Sequence, residues 1–210
     1  KDHFKPIMVL FVMILAQTIF SSADQTMLGM MKSDYEVGIY STALKIENII
    51  SQVVSSLAWV VMPRLSLYFA EGDYNRINQI LKKTLSVLMC IGLPSVAGIC
   101  VLSKEIVMII GGASYLDAAI PLKILMLSFT FSLIGGSFLG NMVLLPSKHE
   151  KTYMWICCVT AVLNVMLNYI LIPYGGAKAA AFTTAMSSLL IMILLLLSIF
   201  KIFKQSSFFI

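Results

Sequence analysis

The segment that decides the fold is residues 177–200, AKAAAFTTAMSSLLIMILLLLSIF, in which Lys178 is the only charged residue. An α-helix needs about 20 mainly apolar residues to cross the hydrocarbon core of a bilayer, and this segment is long enough. The whole chain has the same character, since 59% of its 210 residues are hydrophobic and 12% are charged. These proportions leave too little polar surface for a soluble globule, so the sequence predicts an integral membrane protein.

Five further segments are long and apolar enough to span a membrane, and together they predict an all-α bundle of six transmembrane helices. The six predicted spans are residues 7–31, 37–63, 83–102, 117–145, 150–172 and 177–200. Residues 71–83, EGDYNRINQILKK, are too polar to cross, but their apolar side chains recur at helical spacing. This pattern predicts a separate amphipathic helix on the membrane surface.

The basic residues predict the orientation of the bundle. With both termini on one side, that side holds ten of the fifteen basic residues, namely Lys1, Lys5, Arg64, Arg76, Lys82, Lys83, Lys148, Lys151, Lys201 and Lys204. The other side holds Lys32, Lys104, Lys123 and Lys178. Because basic loops stay in the cytoplasm, we predict that both termini are cytoplasmic. The net charge of +5 then reflects the orientation of the helices in the membrane. We therefore expect membrane lipids as partners and no nucleic acid.

The second predicted span carries polar side chains along one helical face. They are separated by 4, 3, 4 and 3 residues, and we call them the α2 stripe: Ser41, Lys45, Asn48, Gln52 and Ser55. Shorter stripes are Gln17, Ser21 and Asp24 on the first span and Thr160, Asn164 and Asn168 on the fifth. Such groups are costly against lipid unless they are paired or hydrated. We therefore predict that the stripes line a shared interior, where the α2 stripe, Asn164 and Asn168 form a substrate cavity.

Alternatives to the cavity stay open for two of these positions. Asn164 and Asn168 are equally compatible with hydrogen bonds between packed helices, a common use of amides in membrane bundles. Glu47 lies off the α2 stripe, where it could meet another helix or the membrane interface.

The depths of Asp24 and Lys45 suggest a contact between them. Asp24 lies seven residues before the predicted end of the first span, and Lys45 lies eight after the predicted start of the second. Both are then about 10 to 12 Å below the outer surface. Because a buried charge is less costly when paired, we predict that they form an ion pair in one state, with Gln17 in the same coupling region. The alternative is that Lys45 extends to the outer interface.

The sequence offers no pattern typical of an enzyme. His3 and His149 lie in separate segments without metal-ligand spacing, and no carboxylate pair or nucleophile motif is apparent. All four cysteines fall in apolar runs, where a thiol behaves as a small hydrophobic group. We expect a transporter with no catalytic residue, no metal site and no cofactor, apart from a possible coupling ion, Na⁺ or H⁺.

Four motifs, in this order along the chain, resemble the polysaccharide transporter family of the MOP flippase superfamily. They are VGIYSTALKIENI at 37–49, VMPRLS at 61–66, GGASYLDAAIPLKIL at 111–125 and NVMLNYILIPYGGAKAAAFTT at 164–184. This family comprises the flippases of O-antigen and capsule repeat units, and multidrug extruders and lipid II flippases are more distant relatives. The last motif departs from the family pattern at Ala179, where glycine is usual, and at Thr183, where alanine is usual.

The resemblance implies a transporter of two six-helix bundles, of which this chain is similar to the second. Its start at Lys1 rather than methionine agrees with that expectation, and the first bundle would be its partner. The implied function is translocation of an undecaprenyl-diphosphate-linked oligosaccharide across the bacterial plasma membrane by alternating access, for surface polysaccharide synthesis.

Three other functions stay open at this point. The first is a cation-coupled multidrug extruder, which would have an acidic, aromatic-lined cavity. The second is a membrane-embedded glycan polymerase or acyltransferase, which would need a catalytic set on an outer loop. The third is an assembly subunit without a transport path.

The predicted topology places residues 71–83 at the cytoplasmic surface and the loop around Ser114 outside. In a variant without the native cysteines, single cysteines at Asn75 and Ser114 are expected to react with an impermeant thiol reagent from opposite sides of the membrane. Reaction of both from one side would contradict the six-span topology.

Overall fold

The computed structural model describes residues 4–203, and the side chains of residues 4–6, 21 and 203 lie outside that description. Lys1, His3 and Lys204, and the side chains of Lys5 and Ser21, are therefore outside it. The described chain is helical from end to end with short connections. Its elements are α1 (Phe4–Met31), α2 (Asp34–Glu71), α3 (Tyr74–Val101), α4 (Ser103–Gly111), a 3-10 helix (Ala113–Ala118), α5 (Ala119–Ser132), a π-helix (Leu133–Leu144) that continues α5, and α6 (Glu150–Phe203).

Tight turns between the first three helices follow from local capping residues. Ser33 Oγ accepts a hydrogen bond from the backbone N–H of Glu36 at 3.4 Å and so caps the start of α2. Gly72 ends α2 with a φ of 71°, in the left-handed region that glycine enters without steric cost. Asp73 then caps α3 by accepting from the N–H of Arg76 at 3.1 Å. These caps fix α1, α2 and α3 as successive antiparallel neighbours.

The last helix accounts for two of the predicted spans. α6 has 54 residues, but Gly176 has φ 54° and ψ −134°, outside the helical region. At 1.5 Å per residue, an uninterrupted helix of 54 residues would be about 80 Å long, more than two hydrocarbon thicknesses of about 30 Å. We call residues 150–175 α6a and residues 177–203 α6b. They correspond to the predicted spans 150–172 and 177–200.

The outer surface of the bundle is apolar, as expected for contact with lipid. Side chains such as Phe11, Trp59, Val60, Trp155 and Leu197 are more than half exposed. Counting α6 once, five of the described helical segments are long and apolar enough to cross a membrane. The chain is therefore a multi-pass membrane protein with an all-helical fold, as the sequence predicts.

The third helix differs from its predicted boundaries. No glycine or proline occurs from residue 74 to residue 91, so the polar segment predicted as a separate surface helix continues directly into the apolar one. The resulting helix of 28 residues is about 42 Å long, so its first turns extend beyond a hydrocarbon core of about 30 Å. The location of residues 74–83 on the cytoplasmic side stays a prediction.

Candidate functional site

A single buried carboxylate joins α1 to three other helical segments. Asp24 on α1 is 2% exposed. Its Oδ2 accepts hydrogen bonds from Tyr40 of α2 and, at 2.5 Å, from Thr184 Oγ1 of α6b. Its Oδ1 accepts from Asn168 Nδ2 of α6a at 2.5 Å. The carboxylate thus has three donors from three segments that are far apart in the sequence.

Amides and hydroxyls extend this arrangement along α6. Asn168 Nδ2 also donates to Asn164 Oδ1 at 3.1 Å, and Asn164 Nδ2 donates to Ser187 Oγ at 3.3 Å. Thr183 Oγ1 donates to Asn168 Oδ1. Both asparagines are fully buried, so they lie in the interior and connect α6a to α6b. We call the set the Asp24 cluster: Asp24, Tyr40, Asn164, Asn168, Thr183 and Thr184.

A polar cavity of about 300 Å³ adjoins the Asp24 cluster. It is lined by four segments of the chain: Phe20, Asp24 and Gln25 of α1; Tyr40, Leu44, Glu47 and Asn48 of α2; Leu125, Ser128 and Ser132 of α5; and Thr184 and Ser188 of α6b. Three of the serines meet on one side, where Ser188 Oγ lies 2.9 Å from Ser128 Oγ and 3.2 Å from Ser132 Oγ. Among the lining residues that the structure describes, Asp24 and Glu47 are acidic and none is basic.

The α2 stripe lies mostly outside this cavity. Lys45, Asn48 and Gln52 are exposed, Ser41 and Ser55 are half-buried, and only Asn48 lines the cavity. The buried face of α2 includes Tyr40 and Ala43, and it points away from the stripe. The stripe is therefore a polar surface of this bundle rather than part of its interior.

The predicted contact between Asp24 and Lys45 is absent from this conformation. Lys45 is exposed, and within residues 4–203 the salt bridge present is the one between Asp73 and Arg76. Equal depth in the membrane does not determine which faces of their helices Asp24 and Lys45 occupy. At 100° per residue, Lys45 is roughly 160° around α2 from Glu47, the side chain that shares the cavity with Asp24.

Gln17 is next to a second cavity further along α1. Its Nε2 lies 3.4 Å from Tyr153 Oη and 3.9 Å from Cys157 Sγ. This cavity has a volume of about 150 Å³ and shares Phe20, Ser132 and Ser188 with the first. Gln17 and Asp24 thus border neighbouring cavities, as their common stripe suggests, but no hydrogen bond joins the two described side chains.

Some residues of the site lie outside the stripes predicted from the sequence, although Glu47 was expected there to meet another helix or the membrane interface. Tyr40, Thr184 and Glu47 carry much of the polar lining, yet none of them belongs to a predicted stripe. One signal was available, because Tyr40 and Glu47 are seven residues apart and so lie on the same helical face. Thr184 gave no comparable signal, since hydroxyls in apolar helices commonly bond to their own backbone, as Thr184 also does to the carbonyl of Ala180 at 2.9 Å.

Comparison with known proteins identifies the family. Residues 39–208 match the family described as "Lipid II flippase MurJ", and this match covers most of the chain. The chain belongs to this flippase family. Flippases are transporters and not enzymes, in agreement with the sequence analysis. The resemblance to flippases is confirmed, and the narrower assignment to O-antigen and capsule transporters stays a proposal.

The chain is also similar to the "Probable low-salt glycan biosynthesis flippase Agl15" of Haloferax volcanii. The two are 27% identical over 172 residues, which cover 80% of this chain and 35% of the relative. The chain therefore spans about a third of the length of that protein. No solved structure gives a significant match.

The energetics of Asp24 indicate which ions this site can accept. An ionised carboxylate in a membrane bundle is costly unless it is compensated. Three hydrogen bonds offset part of that cost, and the described side chains around Asp24 supply no cation. The site therefore suits a proton on Asp24 or a small cation beside it. Carboxylate, amide and hydroxyl oxygens are the ligands that hard cations prefer.

The hydrogen bond from Tyr40 provides a test of this geometry. Tyr40→Phe removes one donor from a buried carboxylate and is expected to lower the stability by about 1 to 3 kcal/mol, measured as thermal unfolding in detergent. Tyr169→Phe is the control, because the Tyr169 side chain is 69% exposed and its change should leave the unfolding temperature unchanged. Equal unfolding temperatures for both variants would contradict the assigned contact.

Proposed function

We propose that this chain is one membrane bundle of a flippase that moves a polyprenyl-diphosphate-linked oligosaccharide across the plasma membrane. The observation that carries the proposal is a polar face and a polar cavity in a bundle that belongs to a lipid II flippase family. The name of the Haloferax volcanii relative, a glycan biosynthesis flippase, supports a lipid-linked glycan as substrate. We further propose that the glycan is a repeat unit of a surface polysaccharide such as O-antigen or capsule, in a bacterial plasma membrane.

The size and charge of the bundle cavity argue that the substrate binds elsewhere. A cavity of about 300 Å³ is at the lower end of sites for drug-sized ligands, and an oligosaccharide diphosphate is larger. Its lining also offers no basic side chain to a diphosphate, since its ionisable carboxylates are those of Asp24 and Glu47. The exposed α2 stripe has the opposite character, because it offers Lys45 together with amides and hydroxyls. We therefore propose that the substrate headgroup binds along this stripe.

The α2 stripe needs a second wall to enclose a headgroup. The chain corresponds to 35% of its relative's length, which supports a larger transporter with a further bundle. We propose that the partner is a six-helix bundle that faces the α2 stripe, with the substrate path between the two bundles. The bundles would alternate between inward-open and outward-open arrangements, with both termini of this chain in the cytoplasm.

The Asp24 cluster is the proposed site of ion coupling. A carboxylate that is stable only with a proton or a cation changes its hydrogen bonds when that ion leaves. Asp24 contacts α2, which carries the substrate stripe, and both segments of α6. Ion binding therefore acts on the helix that we propose contacts the substrate. Na⁺ and H⁺ both fit a single carboxylate whose hydrogen-bond partners are neutral.

One observation favours a second candidate, a cation-coupled multidrug extruder. The bundle cavity contains the aromatic rings of Phe20 and Tyr40 beside Asp24 and Glu47. An acidic, aromatic-lined cavity is what a transporter of organic cations requires. Measuring both lipid-linked oligosaccharide and organic cation transport by the same preparation would separate the two functions.

Substitution of Lys45 tests the proposed substrate face. In proteoliposomes that contain the complete transporter, Lys45→Ala is expected to lower oligosaccharide flipping by roughly tenfold or more, because it removes a charge-assisted contact to the diphosphate. Lys45→Arg should retain part of the activity. The control is Lys123→Ala, which removes an exposed lysine of α5 outside the stripe. Normal flipping by Lys45→Ala would assign the lysine to the membrane interface instead.

Substitution of Asp24 tests ion coupling. Asp24→Asn keeps the size of the side chain but removes its ability to carry a proton or balance a cation. We expect transport by this variant to lose its response to an imposed Na⁺ gradient or pH gradient, whichever drives the native protein. Asp34→Asn, which alters an exposed carboxylate, should respond normally. A full response of Asp24→Asn to both gradients would refute the role of Asp24.

A further inference from the structure

The break in α6 lies directly against the start of α2. Gly176 has a φ of 54°, and α6b begins with the next residue. The backbone N–H of Ala177 donates a hydrogen bond to Glu36 Oε2 at 2.7 Å. This N–H is one of the first amides of a helical segment, which have no acceptor within the helix. An acidic side chain at that end is also favoured by the helix dipole.

The contact requires glycine at the break. A Cβ atom on residue 176 would lie 2.5 Å from Glu36 Oε2, and the positive φ already disfavours other residues. Glycine therefore allows both the turn and the close approach of the carboxylate. It also leaves this point of α6 with little intrinsic restraint, so the orientation of α6b depends on what holds its first residues.

The same two segments meet again inside the Asp24 cluster. Glu36 and Tyr40 are one turn apart on α2, and Ala177 and Thr184 are two turns apart on α6b, so each pair shares a helical face. Tyr40 Oη lies 3.2 Å from Thr184 Oγ1. α2 thus holds α6b at two points, one at the break and one at the carboxylate of Asp24.

We propose that Glu36 is a positioning residue for the Asp24 cluster. By holding the first amide of α6b, it fixes where Thr183 and Thr184 lie relative to Asn168 on α6a. The hydrogen-bond donors to Asp24 come from both sides of the break, Asn168 before it and Thr184 after it, so their spacing depends on this contact. The inference rests on the proposed coupling role of Asp24, and it adds a residue that touches neither the ion nor the substrate.

A role based on charge would have different requirements. Glu36 borders a cavity of about 230 Å³ that also contains Lys32, Asp117 and Lys178. If the negative charge of Glu36 held α6b in place, Glu36→Asp would preserve the position of α6b and Glu36→Gln would not. If the hydrogen bond from the Ala177 amide holds α6b in place, Glu36→Gln would preserve its position, because the amide oxygen of glutamine reaches as far as Oε2 of glutamate. Asp is shorter by one methylene group and would fail.

The experiment measures the geometry across the break directly. Thr183 Oγ1 donates to Asn168 Oδ1, so Asn168→Cys and Thr183→Cys place two thiols in contact. In the complete transporter without its native cysteines, the rate of disulfide formation with a mild oxidant reports how well α6a and α6b are aligned. We expect Glu36→Gln to keep the parent rate, and Glu36→Asp and Glu36→Ala to lower it roughly fivefold, as for loss of a helix cap.

Two further variants keep the test decisive. Tyr35→Phe is the matched control, because it removes hydrogen bonds to Ser114 and Asp117 beside the same cavity without touching α6, and it should keep the parent rate. Gly176→Ala forces Glu36 away and should slow cross-linking even if the Glu36 variants accumulate poorly. Parent rates in Glu36→Asp and Glu36→Ala, or a slow rate in Glu36→Gln, would overturn the proposal.

A second readout separates this inference from ion coupling. With native Asn168 and Thr183, Glu36→Ala should weaken the response of transport to the driving ion gradient, and Glu36→Gln should preserve it. If Asp24→Asn responds normally, the coupling proposal fails, but the cross-linking rates still decide whether Glu36 positions α6b.

Discussion

The arrangement of the bundle depends on the need to compensate one buried carboxylate. Asp24 lies in a low-dielectric interior, where an unpaired charge costs several kcal/mol, and no single helix supplies enough donors. Its partners come from α2, α6a and α6b. All three donors bind the same acceptor, so this carboxylate fixes the positions of α1, α2, α6a and α6b relative to one another. The apolar contacts around the cluster add stability but little direction, because side chains such as Leu28 and Leu122 can pack in many ways.

The contact with Asp24 gives α2 two polar faces with different surroundings. One face meets Asp24 through Tyr40 and carries Glu47 into the cavity. The opposite face carries Lys45. In the proposed mechanism, the cation and the anionic substrate therefore act on one helix from two sides. A helix held in this way can transmit ion release to the substrate face as a small rotation or shift, and no direct contact between the two ligands is needed.

The break at Gly176 is the second feature that the site depends on. A continuous helix would carry Asn168 and Thr183 about 22 Å apart along its axis at 1.5 Å per residue, too far for the hydrogen bond that joins them. Interrupting α6 lets its second segment return beside the first. The amide of Ala177, which has no acceptor within its own helix, donates to Glu36 of α2.

The sequence by itself determined the membrane class, the apolar segments and the placement of Asn164 and Asn168 in the interior. These follow from properties of each segment alone, namely its hydrophobic length and its helical period. Only the tertiary structure decided that Glu47 rather than Lys45 shares a cavity with Asp24, and that Tyr40 and Thr184 are its donors. The physical reason is that lipid and bundle core are both apolar. Periodicity in a membrane helix therefore marks a polar face without showing which neighbour it meets, and that choice is made when the helices pack.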